Sequence, residues 1–237
     1  SVPIGITAVE RRAVIQSAER AGARRVHLVD EPLAAAIGAG LPVTEPTGCL
    51  IVDIGGGTTE IAVLSLAEAV VATSLRVAGD ELDEAIVNHL RRQHNLLIGD
   101  QTAERIKMKI GSAAELEQEL SMEVKGRDAI SGLPRDTEIN SIEIREALSE
   151  PVGQICEAIR QVLEQAPPEI SADLVDAGAT IVGGGALLKG IDVAISRHLG
   201  MSARIGDDPL TAVSRGTGVF LEDLDLYSGV LFSDDEG

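Results

Sequence analysis

An α/β fold is what this sequence predicts, and three observations predict it. Two short apolar runs, Leu50-Ile51-Val52 and Ala179-Thr180-Ile181-Val182, each end in a glycine turn, as buried strands do where they run out into a loop. Around and between them lie segments whose apolar residues recur every three or four positions, the helical period. The core has to be aliphatic, because 44% of the residues are hydrophobic while the chain holds only 2 Phe, 1 Tyr and no Trp. Helices alternating with buried strands read as a layered α/β architecture.

The elements follow in order. Residues 7–21 place Val9, Ala13, Ile15, Ala18 and Ala21 near one helical face. Thr7 with Glu10 has the capping-box spacing, and Gly22 is a stop. Val26-His27-Leu28-Val29 reads as a short strand. Asp30-Glu31-Pro32 then opens a small-residue helix over residues 33–39, where Ala34-Ala35-Ala36 allows close packing. Residues 42–47 form a polar loop. Residues 50–54, 60–66 and 70–77 read as three meandering strands around the first glycine turn.

Residues 81–92 form an amphipathic helix on Leu82, Ile86 and Leu90, and residues 101–110 another. Residues 112–136 are polar and glycine-dotted, which suggests a small β-containing lobe. Asn140 with Glu143 caps a long helix carrying Ile144, Leu148, Ile155, Ile159 and Leu163, which Pro151 should bend or restart. Pro167-Pro168 ends that region. Leu187-Leu188 begins a further helix and Asp208-Pro209 the last one, with Gly216 and Gly218 where backbones approach closely. Ser233-Asp234-Asp235-Glu236-Gly237 reads as a disordered acidic tail.

Charge and composition exclude several functions. A net charge of -18 argues against nucleic acid as a partner and disfavours direct adhesion to anionic lipid. The lack of aromatics removes the stacking platforms that single strands need. No run of 18 apolar residues is present to span a membrane. Cys49 and Cys156 share no metal-ligand spacing and read as buried, reduced thiols. His27, His89, His94 and His198 show no shared ligand spacing either and receive no role. Residues 1–5 look like the end of a strand with no initiator Met before it, so a fragment of a longer protein is one expectation.

The chemistry concentrates in the two glycine turns. The first is Asp53-Ile54-Gly55-Gly56-Gly57-Thr58-Thr59-Glu60. Bare glycine backbone lets amide groups converge on an anion. Asp53, at the strand end, can hold Mg²⁺ through its waters, and Thr58 offers a hydroxyl to a phosphate oxygen. The alternative is a tight hairpin with a surface Asp. No Gly-Lys-Ser/Thr follows, so this is not a Walker A loop, and a hairpin stands where a dinucleotide fingerprint needs a helix. The second turn, Gly183-Gly184-Gly185, could face a phosphate or a base edge, or could be ordinary strand-to-helix packing. Glu31, at a helix start, could orient an attacking water or simply complement the helix dipole. Glu104 and Lys107 could flank a ribose or form a surface ion pair three residues apart.

Taken together and in order, these segments resemble the actin superfamily, and within it the bacterial rod-shape-determining actin homologues. The resemblance is carried by Asp30-Glu31-Pro32-Leu33-Ala34-Ala35-Ala36-Ile37-Gly38, the first glycine turn, and Gly79-Asp80-Glu81-Leu82-Asp83. Ala103-Glu104-Arg105-Ile106-Lys107, Gly126-Arg127-Asp128, Gly132-Leu133-Pro134 and Gly183-Gly184-Gly185-Ala186-Leu187-Leu188 continue it to about Glu222.

The resemblance implies an actin-like (ribonuclease H-like) ATPase fold with ATP and Mg²⁺ in a cleft between two domains. It implies phosphate contacts from Gly55, Gly56, Gly57 and Thr58, with Asp53 near Mg²⁺ and Glu31 orienting the hydrolytic water. Gly79, Asp80 and Glu81 would lie near the nucleotide, Glu104 and Lys107 at ribose and base, and Gly183, Gly184 and Gly185 in the adenosine loop. It further implies self-assembly into filaments at the inner membrane that guide the cell-wall elongation machinery, in a protein that is cytoplasmic and peripheral to that membrane.

Mapped this way, residues 1–30 are a remnant of the first domain. Residues 31–78 and 149–206 are the two parts of the second-domain core, with residues 79–148 its outer lobe. Residues 207–224 are a helix returning to the first domain, and 225–237 an acidic tail. The family's N-terminal Asp-x-Gly-Thr/Ser phosphate loop does not occur in these residues. Loss of that half of the cradle, together with the membrane-inserting elements beside it, implies impaired hydrolysis and an exposed apolar face. The alternatives within the superfamily are a DnaK-type chaperone ATPase domain and a small-molecule kinase.

Overall fold

The structure is a computed structural model that describes residues 1–232 of the chain. Its elements are α1 (Ala8–Arg20), α2 (Glu31–Gly38), β1 (Cys49–Ile54), β2 (Thr59–Ser65), β3 (Glu68–Leu75), α3 (Gly79–His94), β4 (Leu96–Leu97), α4 (Asp100–Ile110), β5 (Ser121–Asp128) and β6 (Pro134–Asn140). They continue with α5 (Ser141–Gln165), α6 (Pro168–Ala177), β7 (Ala179–Val182), α7 (Ile191–Leu199), β8 (Ala203–Ile205) and α8 (Ala212–Glu222). Five strands form one sheet in the order β3-β2-β1-β7-β8, and β4-β5-β6 form a second. In the larger sheet β1, β7 and β8 run parallel, while β1-β2-β3 is an antiparallel meander.

The two-residue alternation of β1 and β2 sorts their side chains onto two faces. Leu50, Val52, Ile54, Ile61 and Val63 join the core built with α3, α4, α5 and α7. Cys49, Ile51, Ala62 and Leu64 join a separate core with α2 and α8. The sheet is therefore covered on both sides, which explains why β1 reads as an unbroken apolar run. A Cβ on Gly38 would stand 1.7 Å from the Ala212 carbonyl oxygen, and one on Gly216 would stand 1.8 Å from that of Ala34. Close backbone packing of α2 on α8 depends on both glycines. Gly218 has open space where its Cβ would be, so only one of the two expected contacts in α8 is made.

Several expectations need correcting. The residues 26–29 form no regular strand; Leu28 makes an isolated bridge to Phe232, and Asp30 one to Val2. Helix α1 has its Thr7–Glu10 capping box, yet only Ile15 of its expected face is buried and Val9 is 77% exposed. Nothing among the described residues covers the remainder of that face. Helix α5 runs through Pro151 without restarting, because Ile144, Leu148, Val152, Ile155 and Ile159 are buried on both sides of it and hold the helix in line. Pro168 does not merely end a region; it occupies the first turn of α6. After the second glycine turn comes one 3₁₀ turn, Gly184–Leu187, and α7 starts only at Ile191. The last helix begins at Ala212 rather than at Pro209.

The segment expected as a tail from residue 225 packs back onto the body. Tyr227 meets Phe220 edge-on with ring centroids 4.7 Å apart, and the Arg11 guanidinium lies 3.9 Å above Phe232. The acidic stretch 233–237 lies outside the described residues. Cys49 and Cys156 are buried and free, as expected.

Candidate functional site

Parallel pairing of β1 with β7 puts Asp53 level with Val182, so the two glycine turns leave the sheet side by side. They are also in contact. Gly183 has φ +81°, and a Cβ there would meet Asp53 Oδ1 at 2.3 Å and the Ile54 carbonyl oxygen at 2.4 Å. Only glycine fits that backbone in that space.

The first turn is tied to the start of α3. The Gly55 amide donates to the Thr58 carbonyl, and the Gly79 and Asp80 amides donate to the Gly55 and Gly56 carbonyls at 3.1 and 2.8 Å. The leading amides of α3 are thus used to hold the turn. The Gly57 and Gly184 amides have no protein acceptor among the described residues, which leaves them to a ligand or to water.

A cleft of about 630 Å³ opens between these turns, α3 and α4. Its glycine floor is Gly55, Gly56, Gly79, Gly184 and Gly185, and its polar rim is Asp80, Asp83, Glu104 and Lys107. Met108, Leu187 and Leu210 line it while 71%, 56% and 64% exposed. Apolar walls beside a few convergent polar groups are the make-up of a small-molecule site. A second cavity of about 580 Å³ lies at the opposite end of β1 and β7, near Cys49, Gly178 and Arg204. Ligands of open α/β sheets bind at the carboxyl ends of the strands, which favours the cleft at the glycine turns.

Sheet register sets the electrostatics behind the turn. Asp53 pairs directly with Glu60, so both carboxylates share the face covered by α2, whose first residue is Glu31. Asp53 is 6% exposed and Glu60 1%. Burial, then the Glu31 and Glu60 charges, push Asp53 up to about 7. Burial also raises Glu60, opposed by hydrogen bonds from Ser74 Oγ at 2.6 Å, the Ile4 amide at 3.4 Å and the Thr58 hydroxyl. No donor among the described residues relieves Asp53 in the same way. A cation would. The ligand atoms of Glu31, Asp53 and Glu60 do not all lie within 4.8 Å of one another. The cluster therefore fits an ion such as Mg²⁺ held through its water shell better than a bare ion bound directly.

Lys107 does not pair with Glu104. Its ammonium donates to the Gly79 carbonyl at 2.8 Å and to Asp83 Oδ2 at 2.9 Å, joining α4 to the first turn of α3. Asp83 Oδ1 is buried without a partner, and burial raises this carboxyl despite Lys107. Asp83 is the residue that sequence reasoning missed; its position three residues beyond Asp80 on α3 was the available signal. Glu81 turns back to accept from the Ala78 amide at 2.8 Å and does not line the cleft. Of the other expected site residues, Asp53, Glu31, Gly57, Thr58 and Gly183 stand behind or beside the lining, and the rest are in it.

Comparison with known proteins places this geometry in context. A model of the MreB/Mbl protein family matches residues 1–229. The cell shape-determining protein MreB of Escherichia coli K12 is 51% identical over 234 residues, covering 99% of this chain and 67% of that protein. Mbl of Bacillus subtilis is 45% identical over 223 residues, covering 94% and 67%. The crystal structure of MreB 5 of Spiroplasma citri bound to AMPPNP superposes with a TM-score of 0.92 at 38% identity, covering 96% of this chain and 68% of that one. The fold is the expected actin-like one.

Proposed function

The chain belongs to the MreB/Mbl family, and from that premise we propose that it is part of an actin-like cytoskeletal protein that binds ATP in the cleft at the two glycine turns. Gly55, Gly56, Gly57 and Thr58 take the phosphates, and the adenosine lies against Gly183, Gly184 and Gly185 and the apolar walls. Glu104 and Lys107 flank the ribose, with Gly79 and Asp80 closing the cleft from α3. Asp53 would hold Mg²⁺, which would supply charge neutralisation at the phosphates. Glu31, beside Asp53 at the start of α2, orients the attacking water. Phosphoryl transfer needs little from a protein beyond positioning and charge stabilisation, and these residues supply one side of both.

The observation that carries this reading is the meeting of bare glycine backbone, with the Gly184 amide free of a protein acceptor, and exposed apolar walls in one cleft. The nucleotide seen in MreB 5 of Spiroplasma citri supports it. We further propose that the protein assembles with copies of itself into filaments at the inner membrane and directs cell-wall synthesis and rod shape; the names of its relatives, cell shape-determining proteins, support the role in shape. No helix among the described residues is long and apolar enough to cross a membrane.

The 237 residues present one glycine phosphate loop from this side of the cleft, so on their own they should bind nucleotide loosely and hydrolyse it slowly. Sedimentation of the chain with and without Mg²⁺ and a non-hydrolysable ATP analogue, alongside fluorescent-nucleotide titration, tests the reading. Saturable nucleotide binding supports it, and with ATP itself the release of phosphate should be slow. An absence of nucleotide binding at millimolar concentration would refute it.

A further inference from the structure

We propose that His89, His94 and Glu143 form a binding site for a first-row divalent cation of the zinc type, between α3 and α5 and away from the nucleotide cleft. Their ligand atoms all lie within 4.8 Å of one another, and among the described residues no other group of His, Cys, Asp or Glu does this. His89 Nε2 is 3.4 Å and His94 Nε2 is 2.6 Å from the same oxygen, Glu143 Oε2. Tetrahedral zinc with bonds of about 2.0–2.2 Å sets its ligand atoms roughly 3.3 Å apart. The His89 separation already matches that, and the His94 separation has to open by less than about 1 Å.

The donor set is built rather than fortuitous. Glu143 is the third residue of α5, and its other oxygen, Oε1, accepts from the Asn140 amide at 2.8 Å. That capping bond orients the carboxylate and leaves Oε2 for the ion, the role outer hydrogen bonds play around metal ligands. His94 closes α3 just before Asn95, which adopts φ 49°. Its carbonyl accepts from Arg135 Nη1 at 3.1 Å, and Arg135 is itself paired with Asp128. The three side chains are 15%, 23% and 18% exposed, so an ion there would be partly desolvated yet reachable. A groove of about 330 Å³ reaches His89 from solvent, while His94 and Glu143 lie outside its lining.

Two imidazoles and one carboxylate suit zinc better than Mg²⁺ or Ca²⁺, which prefer oxygen ligands throughout. Bound there, the ion would clamp the C-terminal end of α3 to the N-terminal end of α5. It would thereby stabilise the packing of α3 on α5 without touching the glycine turns.

The test uses the untagged, chelator-treated 237-residue chain titrated calorimetrically with ZnCl₂, then with MgCl₂. One equivalent of Zn²⁺ should bind, and Mg²⁺ should not compete. His94→Ala and Glu143→Gln should each weaken Zn²⁺ binding by at least about tenfold, while His198→Ala leaves it unchanged. Glu143→Gln keeps the capping hydrogen bond, so its circular dichroism should match the parent and separate lost ligation from lost folding. Co²⁺ in place of Zn²⁺ should give the strong visible absorption of a four-coordinate site. Absence of saturable Zn²⁺ binding, or binding unaltered by both His94→Ala and Glu143→Gln, would overturn the proposal.

Discussion

Substituting Gly183 with alanine should be costly, while the same change one residue later should not. Gly183 has φ 81° and ψ 176°, a region that residues with a Cβ adopt only at about 1–3 kcal/mol. Its new methyl would also stand 2.3 Å from Asp53 Oδ1 and 2.4 Å from the Ile54 carbonyl oxygen. The second contact is backbone in the central strand and cannot swing away. Overpacking of that kind adds about 1–3 kcal/mol, so Gly183→Ala should destabilise by about 2–6 kcal/mol. A Cβ on Gly184 meets only Leu210 Cδ2, at an ordinary 3.7 Å. Gly184→Ala should therefore cost less than about 1 kcal/mol. Urea unfolding of the two variants beside the parent gives both numbers directly. The first variant should also weaken Mg²⁺-nucleotide binding, because Asp53 must move to admit the methyl. Equal costs for the two variants would refute the claim that the turns are in contact through Gly183.

Other outcomes follow from the same geometry. Asp53 keeps its proton in the folded chain up to about pH 7 against an ordinary value of 3.8. Folded molecules thus hold a proton that unfolded ones have released, so nucleotide-free stability should fall as pH rises from about 4 to about 7 and level off above. Asp53→Asn should gain on the parent over that window by at most about 4 kcal/mol, with Mg²⁺-nucleotide narrowing the gap; a difference that ignores pH in urea titrations would contradict it. Gly216→Ala places a methyl 1.8 Å from the Ala34 carbonyl oxygen and should lower the melting temperature sharply. Gly218→Ala, with open space around it, should leave the melting temperature unchanged or raise it, through a helix-propensity gain of up to about 1 kcal/mol in stability. Lys107→Met leaves the buried Asp83 carboxyl and the Gly79 carbonyl without their donor, at about 1–3 kcal/mol in chemical unfolding. Adding Asp83→Asn should recover part of that loss.

Much of this architecture was legible in the sequence because it is written in local chemistry. The capping boxes Thr7–Glu10 and Asn140–Glu143, the apolar run of β1 and the glycines after β1 and β7 depend on residues near one another. What was not legible depends on contacts between distant segments. Pro151 looks like a break, and only the buried faces on both sides of it keep α5 whole. Lys107 has Glu104 three residues away, yet its partner is Asp83 on another helix. His89 and His94 are five residues apart, a spacing that does not share a helical face. The left-handed turn at Asn95 marks where α3 stops, and Glu143 arrives from 49 residues beyond His94. Strand β8 and helix α6 are short and weakly patterned, and they take shape from packing beside β7 and β1.

Hydrogen–deuterium exchange of the chain with and without Mg²⁺-AMPPNP tests the placement of nucleotide most directly. Joint protection of the amides of Gly56, Gly57 and Thr58 and of Gly184, Gly185 and Leu187 is expected, with little change around Cys49, Gly178 and Arg204 at the other end of the sheet. Protection confined to that other cavity, or saturation with nucleotide that leaves both glycine turns exchanging freely, would contradict the cleft as the nucleotide site.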